Sequence, residues 1–102
     1  MPVILDVHFA HNGPWGNDLL DAMKGLAESI THEPGLHWKV WTEDMAQKLA
    51  GGIYLFDSRQ HAQQYLEMHS ARLAGFGVTH IHARIFEVNQ PLSRINNAPL
   101  PA

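Results

Sequence analysis

The chain reads as an α+β protein whose four strands and two helices follow the order β-α-β-β-α-β, and three observations predict this. Apolar residues alternate with others along Val3–Ala10, the period of a half-buried strand. They recur at helical spacing in two later stretches, through Leu19, Met23, Leu26 and Ile30 and through Ala62, Tyr65, His69 and Leu73. The run Leu36-His37-Trp38-Lys39-Val40-Trp41-Thr42-Glu43 puts Trp38 and Trp41, three apart, on opposite sides of a strand. Both faces of the sheet therefore need cover, and one layer of helices supplies only one.

The first strand sets Val3, Leu5, Val7 and Phe9 against Ile4, Asp6, His8 and Ala10. His11 to Gly16 has the composition of a turn, and Asn17 is expected to cap the first helix, with Asp18 and Asp21 favourable to its dipole. Its apolar stripe comprises Leu19, Leu20, Met23, Leu26, Ala27 and Ile30, and Pro34-Gly35 ends it. Strand two runs from about Leu36 to Glu43. Strand three is Gly51 to Phe56, where two glycines predict a bulge or a close backbone approach. Asp57 or Ser58 caps the second helix, and Gly75 and Gly77 stop it. Strand four is expected over Val78–Val88, with Ile81, Ala83 and Ile85 facing away from His80, His82, Arg84 and Phe86.

Short right-handed connections fold this order into a ferredoxin-like domain, a four-stranded antiparallel sheet with both helices on one side. The other face would be left bare and apolar, which predicts pairing of two copies into a dimeric α+β barrel. Residues 1–90 form that domain, and 91–102 form a C-terminal tail that either reaches the partner subunit or frays.

At 102 residues, with 45% hydrophobic and 17% charged side chains, the chain is one ordinary globular domain. A net charge of −3 with no Lys/Arg run argues against nucleic acid or an anionic membrane surface as a partner. No segment approaches the roughly 20 apolar residues of a membrane span. Met1–Asp6 has neither the basic nor the long apolar part of a leader, so the expected location is cytoplasmic. Without cysteine there are no disulfides, thiolate nucleophiles or Cys-type zinc sites.

Several stretches carry a resemblance. They are His8-Phe9-Ala10 leading to Asn12-Gly13-Pro14, Leu26-Ala27-Glu28-Ser29-Ile30, Glu33-Pro34-Gly35, Trp38-Lys39-Val40-Trp41-Thr42-Glu43, Ala50-Gly51-Gly52-Ile53-Tyr54-Leu55-Phe56, His69 with Ala71-Arg72-Leu73, and Val88-Asn89 before Pro91-Leu92-Ser93. Together they resemble the YdhR-type "putative monooxygenase" family over nearly the whole chain. That family is similar to small dimeric α+β-barrel enzymes, some of which oxygenate aromatic polyketides without metal or flavin. The resemblance implies a homodimer acting on a small aromatic or phenolic compound with O₂ and no cofactor.

Such chemistry needs an electron-rich substrate, an apolar pocket that excludes water, a base, and donors for the developing oxyanion. His69, on the apolar face of helix two, is the candidate base; its plain alternative is a core histidine satisfied by a hydrogen bond. Tyr54, Phe56 and whichever of Trp38 and Trp41 faces the helices are candidate pocket walls. Asn12, Lys39 and Arg72 are candidate donors, although a lysine on a strand is more usually exposed for solubility. No metal is expected. A two-histidine, one-carboxylate set from His80, His82, His8 and Asp6 is conceivable only in a favourable register. Two other readings use the same pocket: a haem-binding or haem-degrading barrel with His69 as ligand, and a non-catalytic binding module for a hydrophobic metabolite.

Overall fold

The computed structural model describes residues 1–102. In chain order the elements are β1 (Val3–Ala10), α1 (Gly16–Ile30), β2 (Leu36–Asp44), β3 (Leu49–Phe56), α2 (Arg59–Gly75), β4 (His82–Glu87) and α3 (Gln90–Ile95). The strands make one antiparallel sheet in the order β2-β3-β1-β4. This is the ferredoxin-like arrangement that the alternation of periods predicts.

Register assigns the faces. Val3, Leu5 and Val7 of β1 stand opposite Phe56, Tyr54 and Gly52 of β3. With Ile30, Ala62, Tyr65 and Leu73 from the helices, the large side chains of this face form one buried core. β2 pairs Lys39 with Tyr54 and Trp41 with Gly52, so Lys39 and Trp41 share the helix-covered face, while Trp38, opposite Leu55, is on the other. The two glycines of β3 cause no slip in its pairing with β1. Instead the backbones approach closely: a Cβ on Gly51 would strike the carbonyl oxygen of Val7.

Helix α2 begins where Ser58 accepts a hydrogen bond from the His61 amide, at 3.2 Å, and turns out of its axis at Phe76 and Gly77. Helix α1 begins two residues earlier than a cap at Asn17 implies. Its N-cap is Trp15, with no side-chain cap, and the carboxylate of Glu43 reaches from β2 to accept from the Gly16 amide at 2.8 Å. Leu20, expected in the apolar stripe, is 57% exposed, because the stripe turns toward Leu19, Met23 and Leu26.

Two further expectations change. Strand four is shorter than Val78–Val88: His80 adopts φ 56°, a left-handed conformation that ends the extended run, and pairing starts at His82. Val78 and Ile81 still pack on the core from an irregular segment, which preserves their apolar spacing without a strand. The face away from α1 and α2 is not wholly bare either. After α3, which Asn89 caps through a 3.2 Å bond from the Leu92 amide, the tail crosses to β2, and the Trp38 indole N–H donates to the Pro99 carbonyl at 2.8 Å. Leu55, beside Trp38 on that face, is completely buried.

Candidate functional site

A cavity of about 480 Å³ lies between α1, α2 and the sheet. Its floor is β1 and β3 at Val7, Phe9 and Gly52; α1 contributes Leu19, Met23 and Leu26; and the loop after β1 and the turn after α2 supply Pro14 and Phe76. The space exists because the middle of the sheet carries almost no side-chain volume there. Positions 50–52 are Ala-Gly-Gly, and α1 rests on Ile30 at one end and on the Glu43 contact at the other.

Four of the expected site residues meet at this cavity: His69, Lys39, Trp41 and Tyr54. The other four lie elsewhere. Phe56 is fully buried in the core beyond Tyr54, and Trp38 is across the sheet against the tail. Asn12 is exposed in the loop after β1, whereas its neighbour His11 lines the cavity. Arg72 stands outside the wall with its guanidinium 3.9 Å from Glu33 and 2.7 Å from the Met68 sulfur. Its charge nevertheless acts on Lys39, Tyr54 and His69.

His69 is buried, 4% exposed, with its ring stacked on Tyr65 at 5.0 Å and edge-on to Tyr54 at 6.5 Å. The Tyr65 hydroxyl donates to the Tyr54 hydroxyl at 3.1 Å, so these phenols satisfy each other and leave the imidazole alone. His69 Nδ1 is buried with no hydrogen-bond partner. Burial lowers its pKa from 6.5 to about 4, and the nearby cations Lys39 and Arg72 act in the same direction, so the ring is neutral at pH 7. Burial raises Tyr54 to about 12, which keeps it a phenol.

The geometry contradicts the reading of Lys39 as an exposed, solubilising lysine. Its ammonium sits 3.5 Å from the centre of the Trp41 ring and 4.7 Å from that of Tyr54. The side chain reaches inward across Gly52, where a Cβ would lie 2.6 Å from Lys39 Cε. Burial, with the charge of Arg72, lowers its pKa to about 7.

His11 is the residue that sequence reasoning passed over. Its Nε2 donates to the Pro14 carbonyl at 2.8 Å and its ring meets Trp15 edge-on at 4.8 Å, bracing the loop at the cavity mouth. Its place directly after β1, two residues past the helix-facing Phe9 and so in phase with it, was the available signal. On the opposite sheet face, His8 and His82 are cross-strand partners with rings stacked at 5.3 Å, and His8 Nδ1 is 3.4 Å from Asp6. His80 has left the strand, and no three metal-ligating side chains converge there or elsewhere.

A ferredoxin-like sheet with both long helices on one face and an apolar, histidine-bearing cavity between the layers defines a small α+β protein with a small-molecule pocket. The family model "Putative mono-oxygenase ydhR" matches residues 4–99, and the chain belongs to that family. Among solved structures it is similar to a "putative antibiotic biosynthesis monooxygenase" from Deinococcus radiodurans, at 16% identity and a TM-score of 0.62 over 85% of this chain and 92% of that one. At that identity the likeness is one of fold. No functionally curated protein matches the chain. No helix is long and apolar enough to cross a membrane.

Proposed function

We propose that the chain is a monooxygenase for a small aromatic or phenolic compound, which binds in the cavity beneath α1 and reacts with O₂ directly, without a resident cofactor. His69 carries the reading: a neutral, buried imidazole on the cavity wall whose Nδ1 lacks a partner, where buried polar atoms are almost always paired. The D. radiodurans protein's description as a "putative antibiotic biosynthesis monooxygenase" agrees with a monooxygenase reading.

For a substrate with an acidic methylene flanked by aromatic rings, His69 takes one proton and leaves a carbanion conjugated to an oxyanion. Lys39 is the donor placed to stabilise that oxygen. The cations that depress the His69 pKa are partly neutralised as the oxyanion forms, so proton transfer becomes easier in step with charge development. The carbanion gives one electron to O₂, the resulting radicals combine into a C–O–O⁻ adduct, and the proton held by His69 returns to it. Loss of water then leaves a carbonyl. The balance is R₂CH₂ + O₂ → R₂C=O + H₂O, with all electrons from the substrate. Apolar walls that exclude water protect the intermediates.

Oxygen-electrode assays with an anthrone and a hydroquinone, with no added cofactor, should show O₂ uptake, and mass spectrometry should find one ¹⁸O atom per product from ¹⁸O₂. His69→Ala should lower kcat by about 10²-fold or more, the usual contribution of a positioned base. Absence of uptake across such a panel contradicts the proposal, and tight binding without uptake would leave a binding module instead.

A homodimer belongs to the same proposal. Val40 and Phe86 remain 54% and 50% exposed on the sheet face that the tail leaves open, and a second copy paired face to face would cover them. Sedimentation at micromolar concentration should return twice the 11.4 kDa chain mass, and a stable single copy would remove this part.

A further inference from the structure

The geometry points to the chemical class of the ligand: an apolar aromatic body bearing one oxyanionic group, which pairs with the ammonium of Lys39. The inference rests on the cavity being the substrate site and names what that site selects.

Lys39, which burial leaves only partly protonated at pH 7, sits in an unusual setting. It lies between the Trp41 and Tyr54 rings on the wall of a largely apolar cavity, and none of the chain's ion pairs includes it. The two rings stabilise an ammonium by their faces but supply no negative charge. No aspartate or glutamate lines the cavity. Glu43 and Glu33 are engaged elsewhere: Glu43, two strand positions beyond Trp41, accepts from the Gly16 amide at 2.8 Å, and Glu33 faces Arg72 at 3.9 Å. None of the other titratable side chains at hand, His11, Tyr54, His69 and Arg72, is an anion at pH 7. No acid on the cavity lining balances Lys39, and a half-buried ammonium without a counter-ion is a costly arrangement that a ligand anion relieves.

The backbone favours the same conclusion. A side chain on Gly52 of β3 would displace Lys39 Cε, and its absence leaves room for the lysine to lie inward across the sheet. An apolar wall selects the body of the ligand and the ammonium selects its charge.

Isothermal titration under nitrogen with 2-naphthoate and with the neutral 2-naphthylmethanol tests this without turnover. The anion should bind at least tenfold more tightly than the alcohol. Lys39→Met, which places an apolar side chain in an apolar setting, should abolish that ratio while leaving the alcohol bound, and Lys39→Arg should retain it. Equal or tighter binding of the alcohol to the native protein, a preference that survives in Lys39→Met, or failure of both compounds to bind would each overturn the inference. Anion preference with no O₂ uptake would preserve it and remove the oxygenase reading; O₂ uptake with neutral substrates alone would do the reverse.

Discussion

Gly51→Ala is expected to destabilise the protein by roughly 3 kcal/mol or more, a large share of the 5–15 kcal/mol that holds a domain of this size. The added Cβ would overlap the Val7 carbonyl oxygen and lie 2.8 Å from His8 Cα, both backbone atoms of the neighbouring central strand. Neither can rotate away, so β1 and β3 must part at the middle of the sheet. One residue on, Gly52→Ala meets mainly Lys39 Cε at 2.6 Å and the Tyr54 ring at 3.3 Å, and the lysine is flexible. Gly52→Ala should therefore keep most of the stability and lose the anion preference as Lys39 is pushed from the cavity. Urea unfolding of both variants checks the contrast, and similar stabilities would show that the close approach at Gly51 is unimportant.

The second large effect is a dependence of stability on pH that passes through His69. Folded, the imidazole has a pKa of about 4 against an ordinary 6.5. Between those values the unfolded chain binds a proton that the folded chain refuses, so stability rises with pH across this window and is lost as pH falls from 6.5 toward 4. At 1.36 kcal/mol per pH unit the loss reaches about 3 kcal/mol at the lower end. His69→Phe keeps an aromatic ring against Tyr65 and has nothing to titrate. Urea midpoints at pH 7.5 and pH 4.5 should fall steeply for the native chain and distinctly less for His69→Phe, and parallel falls would place the acid sensitivity elsewhere.

Much of this was legible in the sequence because one face of the sheet is packed conventionally. The alternation in Val3–Phe9 and the helical spacing from Ala62 to Leu73 follow from burial against a single layer, and burial is what periodicity reports. The illegible parts depend on neighbours distant in sequence. Parity places Trp38 and Trp41 on different faces but does not label them, since the label comes from the pairing of β2 with Tyr54 and Gly52. Lys39 resembles any strand lysine until Gly52 is set opposite Trp41 and beneath its side chain. Strand four looked longer because Val78 and Ile81 keep strand-like apolar spacing while the left-handed His80 interrupts the backbone. Helix α3 went unread although its signals are present, Asn89 at the cap and Pro91 in the first turn, because six residues are too few to show a period.

His69 separates the candidate base from a satisfied core histidine, and its ring can be observed directly. Proton NMR of the histidine ring hydrogens, assigned with His69→Phe, should show the His69 signal titrating near pH 4 in the free protein and shifting on addition of 2-naphthoate at pH 7. The signals of His8 and His82, across the sheet, should stay in place. A His69 signal indifferent to every aromatic ligand, with the ligand-induced shifts at His8 and His82 instead, would contradict the placement of the site beneath α1.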